Sequence, residues 1–381
     1  MTTGRIYVLD CLRFVAVTLA IVSHIVIGLN LWDSTASLTG ILAKVTTRSA
    51  TPSLLILFGL MIEIVQARRY ETDPGGAPRR AISRSLDCAF VLILVAAIDF
   101  VLNRDVTSIF KYLVLQDDHF EFAIFRLYVV ILLLVPAMLW LNNRIGAWTY
   151  VATIAVVVIY DAATRPITTS PPYHAIGALF GLNSYWGPGA VHSLVFVVFG
   201  MSLGAIYRRR STGATIFAAF LMLASVAIVG IYIIRNGIMD FMLGVNELER
   251  FRGSNDAEYF AYGILSFGFI FAISWLFSLI KNPAIMRLAF TTGSHTLTYF
   301  FMGNVIINLA VKITPDGPIA AGIAAVGILS ASILSVQCWV WLTAKPWVRR
   351  LIDGARDTVL NHIGLSIKPP NMPKISATPS A

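Results

Sequence analysis

Ten apolar stretches, each close to the length that crosses a bilayer, run nearly end to end through the chain. They lie near residues 8–31, 50–67, 85–102, 124–141, 147–160, 191–207, 214–234, 261–280, 295–311 and 319–342. A spanning helix needs about 20 mainly apolar residues. The stretch at 147–160 is the weakest of the ten. With 57% hydrophobic and 13% charged residues, the chain reads as a polytopic membrane protein and not as a soluble globule. The expected fold is all-α: a polytopic membrane helix bundle of about ten transmembrane helices. Residues 1–345 form one transmembrane domain. Residues 346–381 form a cytoplasmic tail, amphipathic through Arg356 and then disordered. The first stretch carries Asp10 and Arg13 and reads as an uncleaved spanning helix, not a signal peptide.

Basic residues set the orientation. With the N-terminus inside, the inner loops receive Arg68, Arg69, Arg79, Arg80, Arg84, Arg144, Arg208, Arg209, Arg210, Lys281 and Arg287. The outer loops hold about half as many and most of the acidic residues. The positive-inside rule and an even helix count then put both termini in the cytoplasm. The net charge of +9 is a topology signal here, and no nucleic-acid partner is expected; the lipid bilayer is. The expected location is the cell (inner, cytoplasmic) membrane, crossed many times. Cys11, Cys88 and Cys338 are isolated, so no disulfide framework is indicated. No His or Cys pair has metal-ligand spacing, and no metal is expected. The long outer loops 161–190 and 235–260 fit a sugar-binding rim or an interfacial aromatic belt.

Chemistry concentrates in the first stretch. Arg13 and His24 are eleven residues apart, about three turns, so they share a helix face about 16 Å apart. Asp10 lies one turn before Arg13. An ionisable group at the centre of a membrane helix costs roughly 2.5–3.5 kcal/mol on insertion scales, so such groups face a bundle interior or a watery cavity. At 1.5 Å per residue Arg13 lies about 7 Å in and His24 about 24 Å in. The inner level also receives Glu63, Arg79, Arg80 and Arg84, and the deep level receives Asp99. Two levels of this kind fit an acyl-coenzyme A site. Arginines at the mouth would hold phosphates through bidentate hydrogen bonds, and a thin pantetheine arm would bring its thioester to His24. A neutral imidazole would remove the proton of an acceptor hydroxyl, with Asp99 orienting the ring.

Each residue also has a structural reading. His24 serves as a helix-packing hydrogen bonder, Asp10 as an interfacial charge, Glu63 as an ion-pair partner of Arg13, and the Arg68–Arg84 loop as a topology determinant. His192, near the outer start of the sixth stretch, is a supporting candidate; His119 and His295 are weaker. An ion relay through Arg13, Glu63 and His24 would instead make the chain a transporter or flippase. No repeated halves with matching broken helices support that alternative.

The segment Leu9-Asp10-Cys11-Leu12-Arg13, followed by His24, resembles the first-helix signature of the acyltransferase family 3 membrane enzymes, an Arg and a His separated by ten residues. The Arg-rich loop before the third stretch is similar to that family's second signature, although Arg80 and Arg84 are separated by three residues where the family favours Arg-x-x-Arg. Three further segments resemble the glucan succinyltransferase branch: Leu127-Tyr128-Val129-Val130 with Leu134-Val135-Pro136, Trp186-Gly187-Pro188 with His192-Ser193-Leu194-Val195-Phe196, and Gly293-Ser294-His295-Thr296-Leu297-Thr298-Tyr299-Phe300. Phe58-Gly59 stands where the wider family has Ser-Gly. The resemblance implies transfer of an acetyl, succinyl or similar group from cytoplasmic acyl-coenzyme A to a hydroxyl of an extracytoplasmic glycan or glycolipid. His24 would be general base, Arg13 with Asp10 would serve the donor, and Arg79, Arg80 and Arg84 would bind coenzyme phosphates.

Overall fold

The computed structural model describes residues 7–29, 38–103, 122–165, 179–182, 188–310 and 318–350, together with 354 and 358. Expectations for the rim segments near 170–173 and 185–187, for His119, and for most of the tail fall outside the described residues. The chain divides into two compact units, Met1–Gln337 and Cys338–Ala381. In the second, the Lys345 ammonium lies 4.5 Å from the centre of the Trp341 ring. The packing and the site described below lie in the first.

Every regular element among the described residues is helical. In chain order they are α1 (Tyr7–Gly28), α2 (Leu38–Arg48), α3 (Ala50–Met61), a π-helical turn (Ile62–Ala67), α4 (Arg68–Thr72), α5 (Gly76–Asn103), α6 (Ala123–Ile145), α7 (Trp148–Thr164), α8 (Leu194–Arg209), α9 (Thr212–Asn236), α10 (Ile238–Asn246), a second π-helical turn (Leu248–Arg252), α11 (Ala257–Ser278), α12 (Pro283–Ser294), α13 (Thr296–Ala310) and α14 (Pro318–Thr343). Each of the ten apolar stretches falls on one of these helical runs. Among the described residues seven runs are long and apolar enough to cross a membrane, and α7 and α13 are shorter apolar helices. The stretch at 191–207 is the 16-residue α8. The protein is a multi-pass membrane protein, all-helical among the described residues.

Local chemistry sets the ends. The Ser211 hydroxyl accepts from the Ala214 amide to open α9, and Asn282 accepts from the Ala284 and Ile285 amides ahead of Pro283 to open α12. Both are N-caps that satisfy otherwise orphaned donors. The second stretch is longer than its apolar composition alone implies. It belongs to a helical run, Leu38–Thr72, of 35 residues, interrupted at Ser49, whose hydroxyl turns back to the Thr46 carbonyl at 2.6 Å. Arg48 sits at that break.

α1 packs against α2, α3, α11, α12 and α13, which explains why a helix bearing Asp10, Arg13 and His24 is stable in an apolar setting. It runs parallel to α13. Phe14 stacks on Tyr299 at 6.3 Å, the Thr18 and Tyr299 hydroxyls are 3.2 Å apart, Ile21 covers Gly303, and His24 meets Asn304. α3 and α8 are likewise parallel: Gly200 lies against Ile56, and Gly204 against Leu60 and Glu63. A Cβ on Gly200 would stand 1.9 Å from the Ile56 carbonyl oxygen, and one on Gly59 would stand 2.0 Å from that of Val197. Only glycine lets these backbones touch.

Candidate functional site

His24 lines a cavity of about 50 Å³. α1 contributes Ala20, Ser23 and His24; the α2–α3 break contributes Thr47, Arg48 and Thr51; α13 contributes Phe300. Arg252 enters from the second π-helical turn. His24 Nδ1 lies 2.5 Å from Asn304 Oδ1, and the edge of its ring meets Phe300 at 5.7 Å. Asn304 is fully buried, and its Nδ2 donates to the Phe300 carbonyl at 2.9 Å. That bond fixes the amide so that Oδ1 faces His24 as an acceptor. His24 Nδ1 therefore carries the proton in the neutral ring, and Nε2 is the basic nitrogen.

Asn304 is placed to orient the ring, the role expected of Asp99, whose side chain lies outside the described residues. A neutral asparagine in an apolar stretch is a weaker sequence signal than a carboxylate. Arg48 and Arg252 were also missed by sequence reasoning, for different reasons. Arg48 abuts the second stretch and looks like a flanking charge. Arg252 lies in a loop of mixed charge whose fold only packing reveals. In that loop Arg250 grips Asp240 through two bonds of 3.0 and 2.6 Å, and Tyr232 donates to the same carboxylate at 2.7 Å. The Arg250 hydrogen bonds, and then that of Tyr232, hold the Asp240 carboxyl below its ordinary value, so the clamp is intact at neutral pH. It fixes the turn that carries Arg252 two residues later.

The remaining expected residues occupy three other places. Arg13 pairs with buried Asp10 at 3.1 Å. Asp10 is fourteen residues from His24, about 21 Å along the helix, so it does not act on the same atoms as His24. It holds Arg13. Glu63 is not the partner of Arg13. The first π-helical turn presents it, fully buried, to Arg208 at 2.8 Å, Arg209 at 2.5 Å and Asn142 at 2.9 Å. It ties α8 and α6 to the end of α3. Arg79, Arg80 and Arg84 follow one another along the start of α5. Arg79 is exposed, Arg80 pairs with Asp73 at 3.2 Å, and Arg84 pairs with Asp87 at 3.4 Å.

His192 lies outside the cavity and does not support His24. Its Nε2 is 3.2 Å from Asp161, and its ring meets Tyr160 edge-on at 5.6 Å. Gly181, with φ of +73°, packs so closely on it that a Cβ would reach Nδ1 at 2.5 Å. That packing makes it a loop anchor. Among the described residues no group of three or more His, Cys, Asp or Glu side chains is placed to hold a metal ion.

Comparison with known proteins found no matching family model, curated sequence or solved structure.

The cavity brings together a base with a fixed tautomer, two hydroxyl-bearing threonines, a serine and two guanidinium groups. Side chains of these types can take up a proton, donate hydrogen bonds and attract negative charge. It carries no thiol: Cys11, Cys88 and Cys338 are not among its lining residues.

Proposed function

We propose that the protein is a membrane O-acyltransferase that moves an acyl group from cytoplasmic acyl-coenzyme A to a hydroxyl of an extracytoplasmic glycan or glycolipid. The observation that carries this reading is His24 itself, a histidine in a polar cavity whose Nδ1 is held by Asn304 Oδ1. His24 Nε2 takes the proton of the acceptor hydroxyl as that oxygen attacks the thioester carbonyl carbon. The carbon–sulfur bond breaks, the coenzyme leaves as its thiol after protonation, and the ester product remains on the acceptor. The proton held by His24 is the one available to the departing sulfur.

Arg13, three turns from His24 on the same helix, serves the donor along its path. Arg79, Arg80 and Arg84 receive the coenzyme phosphates. The ion pairs of Arg80 with Asp73 and of Arg84 with Asp87 are solvent-accessible. Exposed pairs are typically worth about 0–1 kcal/mol, so phosphate exchanges for them at little cost. Ten spans with both termini cytoplasmic complete the reading. The parallel pairing of the first stretch with the ninth, and of the second with the sixth, supports the alternation that ten spans require. The cytoplasmic membrane is the location where both substrates are in reach.

The test is transfer by purified protein. Label from acyl-coenzyme A should appear in ester linkage on an added glycan in a saturable, protein-dependent reaction. Uptake of the glycan into vesicles with no ester formed would sink the reading and favour a transporter.

A further inference from the structure

Arg48 presents a problem that acyl transfer alone does not explain. It lies at the break between α2 and α3, its Nε is buried without a hydrogen-bond partner, and no ion pair or side-chain hydrogen bond is made to it among the described residues. Arg252 lines the same cavity. No carboxylate lines that cavity among the described residues. An arginine does not shed its proton in a protein. A charged guanidinium whose Nε is buried and unmet, as in Arg48, is therefore unfavourable unless an acceptor, best of all a negative one, meets it.

The space is sufficient for such a group: a single water needs about 10–15 Å³, and the cavity of about 50 Å³ has room for one carboxylate or phosphate group. We infer that the cavity is an anionic-group subsite, in which Arg48 and Arg252 bind a carboxylate or phosphate carried by one of the two reactants. The inference rests on the proposed acyl transfer for its purpose. Anchoring a charged end of a reactant beside His24 holds its reacting atom in place, which is where proximity contributes most to rate. The planar guanidinium fork matches either anion through paired hydrogen bonds. The charged group belongs either to the far end of the acyl chain or to the acceptor.

Binding to purified protein distinguishes these sources without requiring turnover. Succinyl-coenzyme A and butyryl-coenzyme A have acyl chains of equal length, and only the first carries a terminal carboxylate. Glucose 6-phosphate and glucose form the equivalent acceptor-side pair. Titration of all four into wild type, Arg48→Gln and Arg252→Gln should show tighter binding of one charged probe. That preference should fall by about 10- to 100-fold in each variant, the loss of a charge-assisted contact. Preference for succinyl-coenzyme A assigns the anion to the donor, and preference for glucose 6-phosphate assigns it to the acceptor. Equal binding of charged and neutral probes by wild type, or a preference unchanged in both variants, overturns the subsite. If Arg48→Gln fails to fold, Arg48→Lys decides: it retains part of the preference if the charge is what binds. Absence of acyl transfer from every donor, with the charge preference intact, would remove the enzymatic reading and leave the subsite standing.

Discussion

At the scale of single residues, the site turns on which nitrogen of His24 holds a proton. Asn304 answers that through geometry, because its own amide nitrogen is committed to Phe300. A carboxylate in that place would orient the ring and also stabilise its protonated form, whereas a neutral amide orients it only. Asn304→Ala is therefore expected to lower kcat by about 10²-fold, the scale of effect of a misplaced catalytic group, with KM for acyl-coenzyme A unchanged. Steady-state kinetics on both substrates checks this, and a KM rise at constant kcat would place Asn304 in donor binding instead. Arg13 and His24 were legible in the sequence because ionised groups are conspicuous in an apolar stretch. Asn304 was not, because a single neutral amide is ordinary there, and its role depends on α13 lying beside α1 in parallel. Arg48 and Arg252 were hidden for a similar reason, since 204 residues apart they meet only through tertiary packing.

At the scale of elements, the tightest joint described is the crossing of α3 and α8, where Gly59 and Gly200 allow backbone contact. Gly200→Ala puts a methyl against the Ile56 carbonyl, which cannot swing aside as a side chain would. It is expected to destabilise by about 1–3 kcal/mol, the usual range for overpacking. Gly230 in α9 has open space around its missing Cβ, so Gly230→Ala should be neutral or stabilising by up to about 1 kcal/mol through helix propensity. Thermal unfolding of the two variants separates them; equal midpoints would mean that the α3–α8 contact is not close. The positions of the helices were legible because runs of apolar residues must be buried or face lipid. The break at Ser49, the π-helical turn that aims Glu63 at Arg208 and Arg209, and the short α10 and α12 were not. Those features depend on partners brought in by packing, and composition carries no mark of them.

At the scale of the whole molecule, the account needs donor and acceptor to approach from opposite faces of the membrane. Single-cysteine labelling tests this orientation. A cysteine replacing Gly75, between α4 and α5, should react only from the cytoplasmic side, and one replacing Gly237, between α9 and α10, only from the outside. Reaction of both from one side would break the alternation of spans. The central claim is that His24 removes the acceptor proton, and His24→Gln tests it most directly. Glutamine keeps a hydrogen-bonding side chain but cannot accept the proton. In proteoliposomes supplied with acyl-coenzyme A and glycan, the variant should unfold at the wild-type temperature and bind acyl-coenzyme A with wild-type affinity. Its transfer rate should fall by about 10²–10⁴-fold, the usual contribution of a general base. Near-normal transfer by His24→Gln, or loss of acyl-coenzyme A binding together with transfer, would contradict the account.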